Sequence, residues 1–385
     1  MPSISGIVWL AAKDTRRGFD RVAYGLLYFS RFLLTAVPAQ GLLALLFLRR
    51  PVAPARVWVY CGLCATYVAA VLMIAPSWVP LRNALFFFSF LPPLLLMFSR
   101  GGEAARWVTS DRFVIFICAI TVAEAILLNT RWGADVWFFR ANHPHRNLIF
   151  GGWYQRPGGL TGVTSSTAFV ILMAMILQDA LTSSWKLFTV RHAFVVVALV
   201  VVASGTGFVM FGIYLVICLI KVDVRMRLAH LLSIPFVAIA LGVLLYGAMG
   251  GIWGNQVNRF SFNYVGLIID NKLEMLRAVG ERTATVWLLG RQINDIPQLS
   301  AMNDFGYFAL WDSMGLVGVA LVMLAPALFI SSWGKMKAAT LFFFLAFVHY
   351  PALSSPPGAV LLASYLYRLY ELEQPARATR LPAAA

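Results

Sequence analysis

The chain has 385 residues, of which 60% are hydrophobic and only 12% charged. Soluble domains are nearer half apolar and a quarter charged, so this composition excludes an ordinary soluble core and points to a polytopic membrane protein. The net charge of +15 comes from 31 Lys+Arg against 16 Asp+Glu; with no soluble domain to carry a basic face, nucleic-acid binding is set aside, and the cations are left to orient helices in an anionic membrane or to hold an anionic substrate.

In chain order, a basic cluster at 13–21 comes first. The apolar run after it lacks the short core and small-residue cleavage site of a secretory leader, so no cleavable leader is expected. Apolar segments then fall at 23–48, 57–75, 83–99, 112–128, 161–181, 192–203, 207–220, 229–248, 306–330, 338–353 and 357–370. This gives an all-α integral membrane protein with about eleven transmembrane helices in a single transmembrane domain. Cys61, Cys64, Cys118 and Cys218 all lie inside these runs. Cys61-x-x-Cys64 has the spacing of a redox or metal pair, but no basic or His-rich neighbourhood accompanies it, so it reads as helix filler. The stretch Ser204-Gly205-Thr206-Gly207 reads either as a break in one helix or as a turn between two short ones.

The loops set the topology. Arg49, Arg50 and Arg56; Arg100, Arg106 and Arg112; Lys221, Arg225 and Arg227; and Lys335 and Lys337 all fall on one side, which the positive-inside rule makes cytoplasmic. Only the N-terminal cluster counts to the other side, so either the first span lies elsewhere or the N-terminus runs along the interface. Two long outer loops follow, 129–160 and 249–305, and connections of that length are usually functional or disordered. Neither has a disordered composition. The first holds Trp132, Trp137, Phe138, Phe139, Trp153 and Tyr154, the second Trp253, Phe260, Phe262, Tyr264 and Trp287. Such aromatics suit a membrane interface and also suit stacking on sugars. Within the second loop, residues 265–290 place Leu267, Ile268, Leu273, Leu276 and Val279 near helical spacing among charges, which predicts an amphipathic helix lying on or over the outer surface.

The cations of these loops are almost all arginine: Arg131, Arg140, Arg146 and Arg156 in the first, Arg259, Arg277, Arg282 and Arg291 beside one Lys272 in the second. For any one of them, plain surface charge is the simpler account. As a set they point elsewhere, because the planar fork of arginine binds phosphate bidentately and never deprotonates. An outer face rich in Arg, Trp and Tyr suits a ligand that is part phosphate and part sugar, such as a lipid-diphosphate-linked glycan.

Three stretches together resemble the O-antigen ligase and Wzy-type polysaccharide polymerase superfamily. They are Arg156-Pro-Gly-Gly-Leu-Thr-Gly162 opening a helix, the paired apolar runs around Ser204-Gly205, and Asn303-Asp304-Phe-Gly-Tyr-Phe-Ala-Leu-Trp-Asp-Ser-Met-Gly315-Leu-Val-Gly318 after the large loop. Their order covers roughly residues 110–330. Two departures stand out: Thr206 and Gly207 follow the Ser-Gly turn where members often have arginine, and Met302 stands where ligases carry a histidine. The Asp304-x-Gly-Tyr307 form is more similar to bacterial O-antigen, capsule and exopolysaccharide polymerases.

The resemblance implies a class C type glycosyltransferase in the bacterial inner membrane, with no metal or other cofactor and an active site facing the periplasm. It would join undecaprenyl-diphosphate-linked repeat units, a sugar hydroxyl attacking the anomeric carbon while undecaprenyl diphosphate leaves. A chain-length regulator and export machinery would be its partners. The sequence contains no Asp-x-Asp, so nucleotide-sugar chemistry with a bound divalent ion has no support in it. The diphosphate candidates are Arg156, at the mouth of a predicted helix whose N-terminus favours anions, then Arg277, with Arg259, Arg282 and Arg291. The candidate proton acceptors are Asp304, which serves equally well as a helix cap, and Glu281. Trp153, Tyr154, His145, Arg146 and Tyr307 are the sugar-binding candidates; His143 and His145 also titrate in a useful range. Inside spans, Glu124, Asp179 and His349 are functional candidates as intramembrane ionisable residues, although the first two are near enough to span ends to reach the interface. The alternatives are an O-antigen ligase, which the missing histidine disfavours, and a transporter for a lipid-linked sugar, which should spread its charge through the spans rather than the loops.

Overall fold

The computed structural model describes residues 53–100, 102–130, 148–149, 154–159, 161, 163–185, 189–221, 270, 273–274, 276–278, 281–293, 305–348 and 352–378. The expected spans at 23–48 and 229–248 lie outside the described residues, as do His143, His145, Arg146, Trp153, Arg259, Asp304, His349 and Tyr350. The chain divides into two compact units: residues 1–114, 169–182 and 282–385 form the first, and residues 115–168 and 183–281 the second.

The regular elements of the described residues are helical apart from one short ladder. In chain order they form α1 (Ala55–Ile74), α2 (Trp78–Phe87), α3 (Leu91–Arg100), α4 (Glu103–Val108), α5 (Asp111–Leu128), β1 (Leu148–Ile149), β2 (Tyr154–Gln155), α6 (Thr164–Thr182), α7 (Val190–Val202), α8 (Gly205–Lys221), α9 (Ala284–Leu289), α10 (Gly306–Leu324), α11 (Lys337–Leu345) and α12 (Pro356–Ala378). Short 3-10 turns cover Arg291–Ile293, Ala325–Ser332 and Ala352–Ser354. Three of these helices are long and apolar enough to cross a membrane: α1, α6, and α10 with its 3-10 continuation to Ser332. The bent pair α2–α3 makes a fourth if it counts as one span. The expected single span at 83–99 is therefore two helices meeting at 52°. Pro92 and Pro93 account for the break, since proline has no N–H to continue a helix from α2 but fits the first turn of α3.

Within the first unit, α1 and α10 pack through two tyrosines one heptad apart. The Tyr60 hydroxyl donates to the Leu321 carbonyl at 2.6 Å and the Tyr67 hydroxyl to the Met314 carbonyl at 2.5 Å. Seven residues separate the partners on both helices, so the two rungs share one face of each and the helices run antiparallel. Residues 169–177 of α6 are buried without interruption, as befits a helix apolar on every side. Helix α12 carries Tyr367 and Tyr370 against Phe98 of α3, with ring centroids 5.2 and 4.9 Å away.

In the second unit the Ser204 stretch resolves into two helices and a turn. Ala203 caps α7 in the left-handed conformation, with φ 50°, and the Ser204 hydroxyl accepts the Gly207 N–H at 3.2 Å in the first turn of α8. The loop between α5 and α6 contains an antiparallel ladder pairing Leu148 with Gln155 and Ile149 with Tyr154, which the sequence did not signal. Asp270, Leu273, Glu274, Leu276, Arg277 and Ala278 are helical. The predicted amphipathic helix does not continue to 290, however: Glu281 and Arg282 are in a turn and bend, and α9 begins anew at Ala284. Cys64, Cys118 and Cys218 are buried and Cys61 is half-buried. Glu124 and Asp179, expected to be able to reach the interface, are buried instead.

Candidate functional site

The site begins with a broken helix. Gly315 interrupts α10 with φ 66° and ψ −176°, a left-handed backbone that glycine adopts without a Cβ penalty. Such a break frees helix carbonyls, and buried carbonyls need donors. Tyr67 supplies one to Met314, as above, and Asn83 Nδ2 supplies one to the Ser313 carbonyl at 3.3 Å. Gln292 ties the two donors together: its Nε2 donates to the Tyr67 hydroxyl at 2.8 Å and to the Leu289 carbonyl at 2.7 Å, while its Oε1 lies 3.5 Å from Asn83 Nδ2.

The end of the large loop lies directly on this break. A Cβ on Gly290, whose φ is +84°, would come 2.5 Å from the Ser313 carbonyl oxygen, and one on Gly315 would come 2.2 Å from that of Leu288. Neither position admits a side chain, so backbone meets backbone. The indole N–H of Trp311 donates to the Trp287 carbonyl at 3.0 Å, and the two rings meet edge to face at 5.3 Å. Segment 284–293 is thereby held along α10.

Asp312 sits within this junction and is 0% exposed. Arg282 Nη1 donates to its Oδ1 at 2.5 Å, and Arg291 Nε lies 2.7 Å from its Oδ2. The arginine side chains are 9% and 12% exposed. Burying a carboxylate without partners would cost several kcal/mol, and Asp312 avoids that through an ionic contact on each oxygen. Two guanidinium groups thus share one carboxylate. An Arg–Arg pair oriented by a common carboxylate and only slightly open to solvent is suited to phosphate oxygens.

The sequence-predicted residues distribute as follows. Arg282 and Arg291 converge on Asp312. Tyr307, in the first turn of α10, donates its hydroxyl to the Phe344 carbonyl at 2.7 Å and its N–H to the Phe347 carbonyl at 2.8 Å, so it fastens α10 to the end of α11. Arg277 and Glu281 belong to the second unit; both are exposed, and the Glu281 N–H donates to the Arg277 carbonyl at 3.0 Å.

Arg156 and Tyr154 also belong to the second unit. Arg156 was expected at a helix N-terminus, but its Nη1 donates to the Ala203 carbonyl at 3.4 Å, and the Tyr154 hydroxyl donates to the Val201 carbonyl at 2.6 Å. Both meet the C-terminal end of α7, where last-turn carbonyls have no helical partner and a cation is favoured by the helix dipole. Burial pushes the Tyr154 hydroxyl up to about 12, with the Arg156 charge pulling the other way. Nearby, the Thr167 hydroxyl donates to the Gly158 carbonyl at 2.6 Å, and Gly159, at φ +55°, packs where a Cβ would strike Thr167. The glycines of this motif let the loop close on the start of α6.

Asp312 is the candidate site residue that sequence reasoning missed. The signal was present: the rule that singles out ionisable residues within spans, applied to Glu124, Asp179 and His349, selects Asp312 as well. Comparison of the chain with protein-family models, with curated proteins and with solved structures finds no match.

Proposed function

We propose that the chain is a bacterial inner-membrane polysaccharide polymerase, a class C type glycosyltransferase with about eleven spans that joins undecaprenyl-diphosphate-linked repeat units at the periplasmic face. In the reaction, the hydroxyl oxygen of one unit forms a bond to the anomeric carbon of the lipid-linked chain. The bond from that carbon to the diphosphate oxygen breaks, and undecaprenyl diphosphate leaves with the bonding electron pair. The hydroxyl proton passes to a base, for which Asp304 and Glu281 are the candidates. The developing diphosphate charge needs fixed cations in a poorly hydrated place.

The observation that carries this reading is the nearly buried Arg282–Asp312–Arg291 group. It joins the end of the large loop to the stretch that resembles the polymerase motif, and it gathers two arginines on one carboxylate. Trp287 and Trp311 beside it suit a sugar adjoining the diphosphate. The partners under this reading are the lipid-linked glycan, the bilayer, a chain-length regulator and export machinery.

The test is the length distribution of the lipid-linked glycan in the native host, for wild type, a deletion, Arg282→Ala and Arg156→Ala, with expression checked by blot. The expected result is single repeat units in the deletion and in Arg282→Ala. Long chains that stay on the lipid carrier would instead make the protein a ligase. Single units confined to the cytoplasmic leaflet would make it a translocator.

A further inference from the structure

We infer that the first turn of α6, where it meets the start of α8 in the second unit, is a phosphate-binding site: the hydroxyls of Thr164 and Ser166, with the backbone N–H groups of that turn, take the oxygens of a phosphoryl group. None of these residues belongs to the Arg282–Asp312–Arg291 group, and the inference does not rest on the polymerase reading. Three observations carry it.

The first is where the hydroxyls of this turn go. Thr167 donates to the Gly158 carbonyl at 2.6 Å and lies 2.8 Å from the Thr161 hydroxyl, and Ser165 accepts from the Ser204 hydroxyl at 3.3 Å. Thr164 and Ser166 are each 5% exposed, yet neither hydroxyl has a hydrogen-bond partner among the described residues. A buried hydroxyl in that position has given up its water and gained nothing in return, so it calls for a partner from outside the chain. The Cα–Cβ bonds of a helix lean toward its N-terminus, so these two short side chains lie over the mouth of α6.

The second is the helix end. No side chain caps α6 at Val163, and the N–H groups of Thr164, Ser165 and Ser166 have no acceptor among the described residues. These donors point along the axis of a helix of 19 residues, whose dipole favours an anion there. The third is another helix start beside it. Ser204, whose hydroxyl accepts the Gly207 N–H and donates to Ser165, opens α8, and a Cβ on Gly207 would come 2.7 Å from the Ala168 Cβ. Two positive helix ends therefore meet within one hydrogen bond. The carbonyl end of α7 is also close, at Ala203, and would repel an anion; Arg156 is the cation placed on it. Arg156 thus serves the site by masking a negative helix end, and the hydroxyl and N–H donors bind. Donors spread around a helix axis match a tetrahedral phosphoryl group better than a planar carboxylate.

The test is binding by the full chain in maltoside micelles, which contain no phosphate, counted by native mass spectrometry. The probes are hexadecyl phosphate, hexadecanol, which has the same tail without the phosphoryl group, and inorganic phosphate. Wild type is expected to bind hexadecyl phosphate at least about tenfold more tightly than hexadecanol. Thr164→Val with Ser166→Ala removes both hydroxyls at nearly constant shape and is expected to weaken hexadecyl phosphate at least about tenfold. Its unfolding midpoint without ligand should be no lower than that of wild type, because the hydroxyls it loses have no partner in the chain. Thr164→Ser with Ser166→Thr, which keeps both hydroxyls, should bind as wild type does. Hexadecyl phosphate bound more tightly than inorganic phosphate upholds the site and assigns it to a lipid headgroup; equal binding of the two upholds it and assigns it to a soluble phosphate. Equal binding of hexadecanol and hexadecyl phosphate, or full binding by the variant without hydroxyls, overturns the inference. So does unfolding of that variant in the absence of ligand, which would make the hydroxyls structural. Elongation is not read in this assay, so failure of the site and failure of the polymerase reading are separate results.

Discussion

Among the described residues, the first unit contains two arginine–carboxylate groups, and they differ in what surrounds them. One gathers on Glu371 and Glu373 of α12. There Arg56 pairs with Glu373, which also accepts from the Ser331 hydroxyl, while Arg368 and Arg106 pair with Glu371, the latter at 3.1 Å. The other is the Arg282–Asp312–Arg291 group. In the first, Arg106 is 65% exposed, and Arg56 lies over the Phe329 ring at 4.6 Å. These are contacts that staple helix ends: the start of α1, the end of the 3-10 turn after α10 and the end of α12. In the second, every member is nearly or wholly buried, and the carboxylate lies inside an apolar helix. Pairing is common to both groups. Burial separates them at the arginines: Glu373 is buried like the second group, but Arg56 and Arg106 are 31% and 65% exposed, so water screens their pairs more than it screens Arg282 and Arg291.

Four substitutions sharpen the contrast. Arg282→Ala should lower elongation about 1,000-fold, while Arg106→Ala should leave it within about twofold, both measured as glycan formed per folded chain. Equal losses would erase the distinction between site and staple. Gly315→Val should be the most damaging to stability, by about 3 kcal/mol or more, since it needs a left-handed β-branched residue pressed on the Leu288 carbonyl; the unfolding midpoint in detergent reports it. Tyr67→Phe should cost about 2 kcal/mol on the same assay, because the Met314 carbonyl loses its donor and Gln292 loses an acceptor in a buried place. Arg106→Ala should cost less than about 1 kcal/mol, with an effect that fades as salt is added.

Composition made the helical, membrane-directed class legible, because nothing else accommodates so apolar a chain. Spans bounded by charged or Pro/Gly-rich loops, such as α1 and α6, were legible too. What escaped was the interruption within apolar runs. The α2–α3 bend and the Gly315 break leave hydropathy unchanged, since a run stays apolar whether straight or broken. Arg282 and Arg291 were legible as cations awaiting an anion. Their counter-ion was not, because Asp312 is thirty residues from Arg282, and only the Gly290–Gly315 contact brings the two together. Arg156 shows the reverse case. Its sequence setting beside a predicted helix start suggested an anion site, whereas the chain folds it back onto the carbonyl end of another helix.

The Tyr67–Met314 hydrogen bond also fixes a depth. Tyr67 stands seven residues before the end of α1 at Ile74, which is about 10 Å of helix rise. Asp312 lies two residues beyond Met314 on an antiparallel neighbour, about 3 Å nearer that end. The carboxylate and its two arginines are therefore recessed several ångströms below the rim of the adjoining span. An anion that reaches them exchanges bulk water for a medium of low polarisability, where each fixed charge acts with several times its aqueous strength.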